Sequence, residues 1–188
     1  MCAQVGLEVE ALAPPVDEAS ILADTPEGLA LARARGKAES LVGPDRVVIG
    51  SDQVVHLDGV TYGKPRSPEE HRAQLAALRG RTHALTDGVV IVAPHARVAF
   101  LVTAYVTLRA DVSDAEIAAY VASEDASGCA GGYRVEGPGA WLVDHVDGDW
   151  FTVVGLPIYR VLGELRALGW TPAYARLTSA TLPNGTSA

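Results

Sequence analysis

Asp52 stands in Gly50-Ser51-Asp52-Gln53, between the apolar runs Val47-Val48-Ile49 and Val54-Val55. A carboxylate at or near a strand end is costly to bury unless a partner meets it. It is therefore either a working acid or a turn residue that bonds its own backbone. Gly63-Lys64-Pro65 is a second candidate. Proline stiffens such a loop, glycine allows a ligand close, and a lysine held there is a point charge for a phosphate. The plain alternative is an ordinary turn with a solvated lysine. Asp17-Glu18 follow Pro14-Pro15-Val16. Paired acids in a rigid turn can hold Mg²⁺ or Mn²⁺, and they serve as often in a solvated loop. Lys37 accompanies arginines and Glu39 on a helix, where a solvated face is the simpler reading. The glycine-dense run from Gly128 to Gly132 leads into Tyr133-Arg134-Val135-Glu136-Gly137. It can bring backbone against a planar ligand, with Glu136 accepting from a base edge, or it is a tight turn.

Other chemistries lack the residues they need. Two cysteines, Cys2 and Cys129, make no disulfide scaffold and match no zinc spacing. His56, His71, His83, His95 and His145 are scattered, with no HExxH pattern. The chain has 188 residues and a net charge of −8, a sign that repels nucleic-acid polymers. No apolar run approaches the ~20 residues of a membrane span, and no signal peptide is visible at Met1-Cys2-Ala3-Gln4. The expectation is a cytoplasmic protein with no membrane association.

The elements that must position these residues alternate between helix and strand. Val5 to Ala13 reads as a short strand. Thr25-Pro26-Glu27 opens a helix to about Leu41, with Leu29, Ala32 and Ala38 inward. Val47-Val48-Ile49 is a buried-strand signature. Ser67 and Glu70 have capping-box spacing for a helix ending near Gly80, as do Ser113 and Glu116 for one ending near Ser123. Between them, Thr82 to Val92 and Arg97 to Leu108 flank Pro94-His95-Ala96 and read as a hairpin. Trp141 to Val146 and Trp150 to Val154 read as strands, and Pro157 opens a last helix ending near Gly169. The class is α/β or α+β. Residues 1–170 are expected to form one domain, followed by a loose tail over 171–188.

Taken in order, these signals resemble the Maf nucleotide pyrophosphatases. The resemblance rests on Val16-Asp17-Glu18, Lys37-Ala38, Gly50-Ser51-Asp52-Gln53-Val54, Gly63-Lys64-Pro65, Gly80, and Thr82-His83. It continues through Cys129-Ala130-Gly131-Gly132-Tyr133, Glu136-Gly137 and Val153-Val154-Gly155-Leu156-Pro157, covering about residues 5 to 168. It implies an α/β fold with an elongated mixed sheet and two lobes around a cleft, as in the inosine triphosphate pyrophosphatases. It implies hydrolysis of a nucleoside triphosphate to the monophosphate and pyrophosphate with a divalent cation, Mg²⁺ or Mn²⁺. Asp52 is then the general base, Glu18 and Asp52 meet the metal, and Lys37 and Lys64 bind the phosphates. A homodimer is the family's expectation.

Within the family, branches acting on dTTP and UTP read Ala-Asp-Thr at the base motif and Gln-Gly after the glycine loop. This chain has Ser51-Asp52-Gln53 and Glu136-Gly137, which resembles the branch acting on 7-methyl-GTP. Gln53 and Glu136 fall on that branch's specificity positions. N7 methylation gives the guanine ring positive charge, which a carboxylate at Glu136 favours. The dTTP/UTP activity is the alternative. The family's opening strand and Ser-x-Ser-Pro-x-Arg-Arg loop have no counterpart among Met1 to Gln4. Two expectations follow: a start codon assigned too late for a longer active protein, or a shortened protein that binds nucleotide without turnover.

Overall fold

A computed structural model describes residues 1–123 and 126–172. The chain divides into two compact units, Pro14–Pro157 and Met1–Ala13 with the chain from Ile158 onward. The larger unit is built on five strands, β1 (Val48–Leu57), β2 (Val60–Tyr62), β3 (Thr82–Ala93), β4 (Ala96–Leu108) and β5 (Val143–Asp147). Their order across the sheet is β2-β1-β3-β4-β5. The α/β class with flanking helices stands as expected, but the sheet is antiparallel rather than mixed: all the strand pairings are antiparallel among the described residues. Tight connections impose this at two places. Asp58 (φ 52°) and Gly59 (φ 79°) both turn left-handed between β1 and β2, the backbone that a two-residue hairpin needs and Asp-Gly supplies. Pro94-His95 joins β3 to β4, as the sequence indicates.

One face of the sheet carries α1 (Pro26–Glu39), whose N-cap Thr25 accepts from Gly28 N. Its buried stripe is Ala30, Ala34 and Ala38, a repeat of four that replaces the expected inward set of Leu29, Ala32 and Ala38. Methyl side chains are required because the helix lies almost on the sheet. A Cβ at Gly50 would overlap the backbone of Ala34 and Ala38, and one at Gly88 the backbone of Ala30 and Leu31. The other face carries α2 (Pro68–Leu78) and α3 (Asp114–Ser123), with a core that includes Val55, Leu57, Leu75, Leu78, Leu85, Val106 and Ile117. The Ser113–Glu116 capping box forms in both directions: Ser113 Oγ accepts from Glu116 N, and Glu116 Oε2 accepts from Ser113 N. At α2, Ser67 Oγ accepts from Glu70 N, but the Glu70 carboxylate accepts from Arg66 N instead.

Three further expectations are corrected. Asp52 lies inside β1, not at its end, because the ladder to β3 continues from Val48 through His56. Trp150–Val153 is a helical turn, α4, not a strand. Asp149 caps it, its Oδ1 accepting from Phe151 N and its Oδ2 from Thr152 Oγ1, so the Asp-x-x-Thr sequence satisfies its own backbone locally. Val5 to Ala13 forms no strand: Cys2–Val5 is a 3₁₀ turn closed by Gly6. In the smaller unit, α5 (Ile158–Ala167) buries Ile158, Val161 and Leu165. Most of the expected tail lies outside the described residues.

Candidate active site

Lys37 and Arg33 are one helical turn apart on α1, so both project from the face that meets β1. The Lys37 ammonium donates to Asp52 Oδ1 at 2.7 Å and to the Ser51 carbonyl at 3.3 Å. It lies 3.1 Å from Glu18 Oε1. An ammonium has three protons, and these three acceptors match them. Arg33 Nη1 stands 3.8 Å from Asp52 Oδ2. Asp52 itself is only 9% exposed. The adjacent acids Asp17 and Glu18 divide their roles. Asp17 caps a short 3₁₀ turn by accepting from Ala19 N, which leaves the Glu18 carboxylate to reach Lys37.

This setting tunes both partners. Burial pushes the Asp52 carboxyl above its ordinary range, helped by the Glu18 charge and opposed by Lys37 and Arg33. Burial works to lower Lys37, but its hydrogen bonds to Asp52 and Glu18 and their charges outweigh it and hold the amine above its ordinary value. The site thus pairs a lysine that holds its proton more tightly than usual with a carboxyl of raised basicity, whose ionised form Lys37 and Arg33 favour. That combination suits proton abstraction.

Gln53 follows Asp52 on the strand and so points to the opposite face. Its Nε2 donates to the Thr152 carbonyl at 2.6 Å and to Asp87 Oδ2 at 3.3 Å. Asp87, directly across the ladder on β3, is fully buried. Burial raises its carboxyl to about 8, against the Gln53 hydrogen bond and with added repulsion from Asp52 and Asp149. Glu136 is exposed, with Oε1 3.3 Å from Arg134 Nε. The glycine loop that precedes it packs on the Gln53 side of β1, where a Cβ at Gly131 would come within 3.6 Å of Val55. Lys64 is exposed on the loop after β2, and no ion pair joins it to Asp52.

The structure thus gathers Glu18, Lys37 and Asp52 into one cluster, sets Gln53 behind it, and leaves Lys64 and Glu136 on exposed segments. Reading the sequence missed Arg33 and Asp87. Arg33 carried a signal, its spacing of four from Lys37. Asp87 carried the same signal as Asp52, an acid inside an apolar run from Leu85 to Val92.

Among the described residues no group of three or more His, Cys, Asp and Glu side chains could hold a metal ion. The acids present nevertheless fit a hard cation that takes most of its oxygens from water and phosphate, which is how Mg²⁺ is commonly bound. Asp52 Oδ2 is a buried oxygen without a hydrogen-bond partner, and the Glu18 carboxylate reaches the same ammonium from the solvent side.

A family model described as Maf-like protein matches residues 1–168, and the chain belongs to that family. Its relatives there are nucleotide pyrophosphatases, hydrolases acting on phosphoric anhydride bonds. The dTTP/UTP pyrophosphatase of Thermus thermophilus is 40% identical over 168 residues, covering 89% of this chain and 88% of that protein. The 7-methyl-GTP pyrophosphatase of Albidiferax ferrireducens is 38% identical over 173 residues, covering 90% and 87%. The dTTP/UTP pyrophosphatase of Bacillus cereus is 34% identical over 163 residues, covering 86% and 85%. No helix among the described residues is long and apolar enough to cross a membrane.

Proposed function

We propose that this protein hydrolyses 7-methyl-GTP to 7-methyl-GMP and pyrophosphate, with Asp52 as the general base. The observation that carries the reading is the buried Asp52 carboxylate held by Lys37 at 2.7 Å. Water attacks the α-phosphorus in line, its proton passes to Asp52, the bond from the α-phosphorus to the α,β-bridging oxygen breaks, and pyrophosphate leaves with that oxygen. Lys37 fixes the carboxylate's orientation and favours its ionised form. Arg33 supplies a second cation at the cluster, its Nε buried and unpaired. Lys64 is exposed and available to the triphosphate tail. Glu18 and Asp52 would hold a divalent cation, Mg²⁺ or Mn²⁺, which when bound would neutralise phosphate charge.

The choice of base rests on Gln53 and Glu136. A carboxylate at Glu136 accepts from the N1–H and N2–H edge of guanine and favours the cationic methylated ring. The second reading is dTTP or UTP hydrolysis, favoured by the 40% identical Thermus relative of that name and by the Arg134 contact that occupies Glu136. Pyrophosphate release across a nucleotide panel separates the two. Faster turnover of 7-methyl-GTP than of UTP is expected, and Glu136→Gln should lower that preference about tenfold, the worth of one charged hydrogen bond. A native enzyme that prefers UTP would establish the second reading. An unchanged preference in the variant would remove Glu136 from base selection.

A further inference from the structure

The Gln53 amide is tied at its nitrogen. Its Nε2 donates to the Thr152 carbonyl at 2.6 Å and to Asp87 Oδ2 at 3.3 Å. The first partner is a backbone carbonyl, which can only accept. Turning the amide over would set oxygen against oxygen at that distance, leaving a buried acceptor unsatisfied. Neither partner can swing aside. Thr152 is fully buried and sits in α4, where its hydroxyl donates to Asp149 Oδ2 at 3.1 Å. Asp87 is fully buried, and its other oxygen, Oδ1, has no hydrogen-bond partner. Gln53 itself is half-buried, and its Oε1 meets no protein donor among the described residues.

We infer that Asp87 and the Thr152 carbonyl are positioning groups that fix the Gln53 amide, so that it offers only its oxygen to the substrate and selects a nucleobase edge of adjacent hydrogen-bond donors. Guanine, methylated at N7 or not, carries such an edge in N1–H and the N2 amine. Uracil and thymine set one N–H between two carbonyls, and a fixed acceptor faces repulsion from those oxygens. A glutamine free to turn would serve either base. With its nitrogen captured, it becomes a one-way acceptor, and the selectivity comes from the residues behind it. The inference rests on the proposed nucleotide chemistry of this site and adds the groups that give Gln53 its polarity.

The test compares the native chain with Asp87→Asn, which keeps an acceptor oxygen, and Asp87→Val, which does not. The readout is the ratio of kcat/KM for 7-methyl-GTP over UTP. The ratio should survive in Asp87→Asn and fall about tenfold in Asp87→Val, the equivalent of one hydrogen bond. A purely structural tie would lower the melting temperature and leave the ratio alone, and an unchanged ratio in Asp87→Val overturns the inference. The second measurement needs no turnover and only the native fold. The Gln53 side-chain amide protons, assigned by their loss in Gln53→Glu, should exchange with solvent at least about tenfold more slowly than those of exposed glutamines, since both are hydrogen-bonded. Exchange as fast as an exposed glutamine overturns the inference even if the enzyme is active. Slow exchange in a protein that cleaves no nucleotide overturns the proposed function and leaves the positioning intact.

Discussion

At the scale of single residues, the site depends on one ammonium serving three acceptors. Lys37 is the shared partner of Asp52, Glu18 and the Ser51 carbonyl. Replacing it with Met keeps the length of the side chain and removes the charge, leaving Asp52 buried with only the more distant Arg33 as a cation. Lys37→Met is expected to cost about 1–3 kcal/mol of stability and to move the acid limb of the pH–rate profile upward, because Asp52 protonates more readily. Denaturant melts and pH–rate profiles check the two effects, and a limb that does not move would mean that Asp52 is not the titrating base. The residue types are legible in the sequence, where Asp52, Lys37 and Glu18 each stand out, although spacing alone leaves every one of them open. Their meeting was not legible, since Lys37 and Asp52 lie on different elements. Nor was the direction of Gln53, which depends on the sheet's alternation and on a carbonyl in α4.

At the scale of elements, the site exists because α1 lies nearly flush with β1 and β3. Gly50, Gly88 and the Ala30-Ala34-Ala38 stripe permit that approach. Gly88 is opposite Asp52 in the ladder, so a side chain there would lift the helix away from the carboxylate. Gly88→Ala should destabilise the fold by about 3 kcal/mol, the upper end of overpacking costs, and should weaken catalysis by separating Lys37 from Asp52. Urea unfolding checks the first effect, and a variant as stable as the native chain would contradict the close packing. Helix starts and the β3–β4 hairpin were readable because their signals are local: hydroxyl caps, prolines in the first turn and a Pro-His turn. The α1 stripe is hidden in the sequence because three alanines carry almost no hydrophobic contrast with their neighbours. Trp150–Val153 was misread because an apolar run of aromatic and β-branched residues looks like strand, whereas the Asp149 cap decides for helix.

At the scale of the molecule, two buried titrating groups set how stability follows pH. Burial raises Asp87 to about 8, against its Gln53 hydrogen bond and with Asp52 and Asp149 nearby. From its ordinary 3.8 up to that value the folded chain holds a proton that the unfolded chain releases, so stability falls as pH rises. Burial lowers His83 from 6.5 to about 4, opposed by a backbone hydrogen bond at Arg81. Over that span the unfolded chain holds the extra proton, so stability rises with pH. The two slopes oppose each other where they overlap. Between 6.5 and about 8 the Asp87 slope stands alone of the two. The melting temperature should therefore decline over that interval, and Asp87→Asn should flatten the decline. An equal decline in the variant would contradict the assignment. The net charge of −8 belongs to the same scale: a surface of that sign disfavours contact with nucleic-acid polymers.

We propose that Asp52 is the base with which this protein hydrolyses nucleoside triphosphates. The most direct measurement is pyrophosphate release from 7-methyl-GTP with Mg²⁺ or Mn²⁺, by the native chain and by Asp52→Asn, with circular dichroism confirming that both are folded. The expected result is native turnover reduced about 10²–10⁴-fold in the variant, the range that a positioned general base contributes. Equal turnover by a folded Asp52→Asn protein would contradict it.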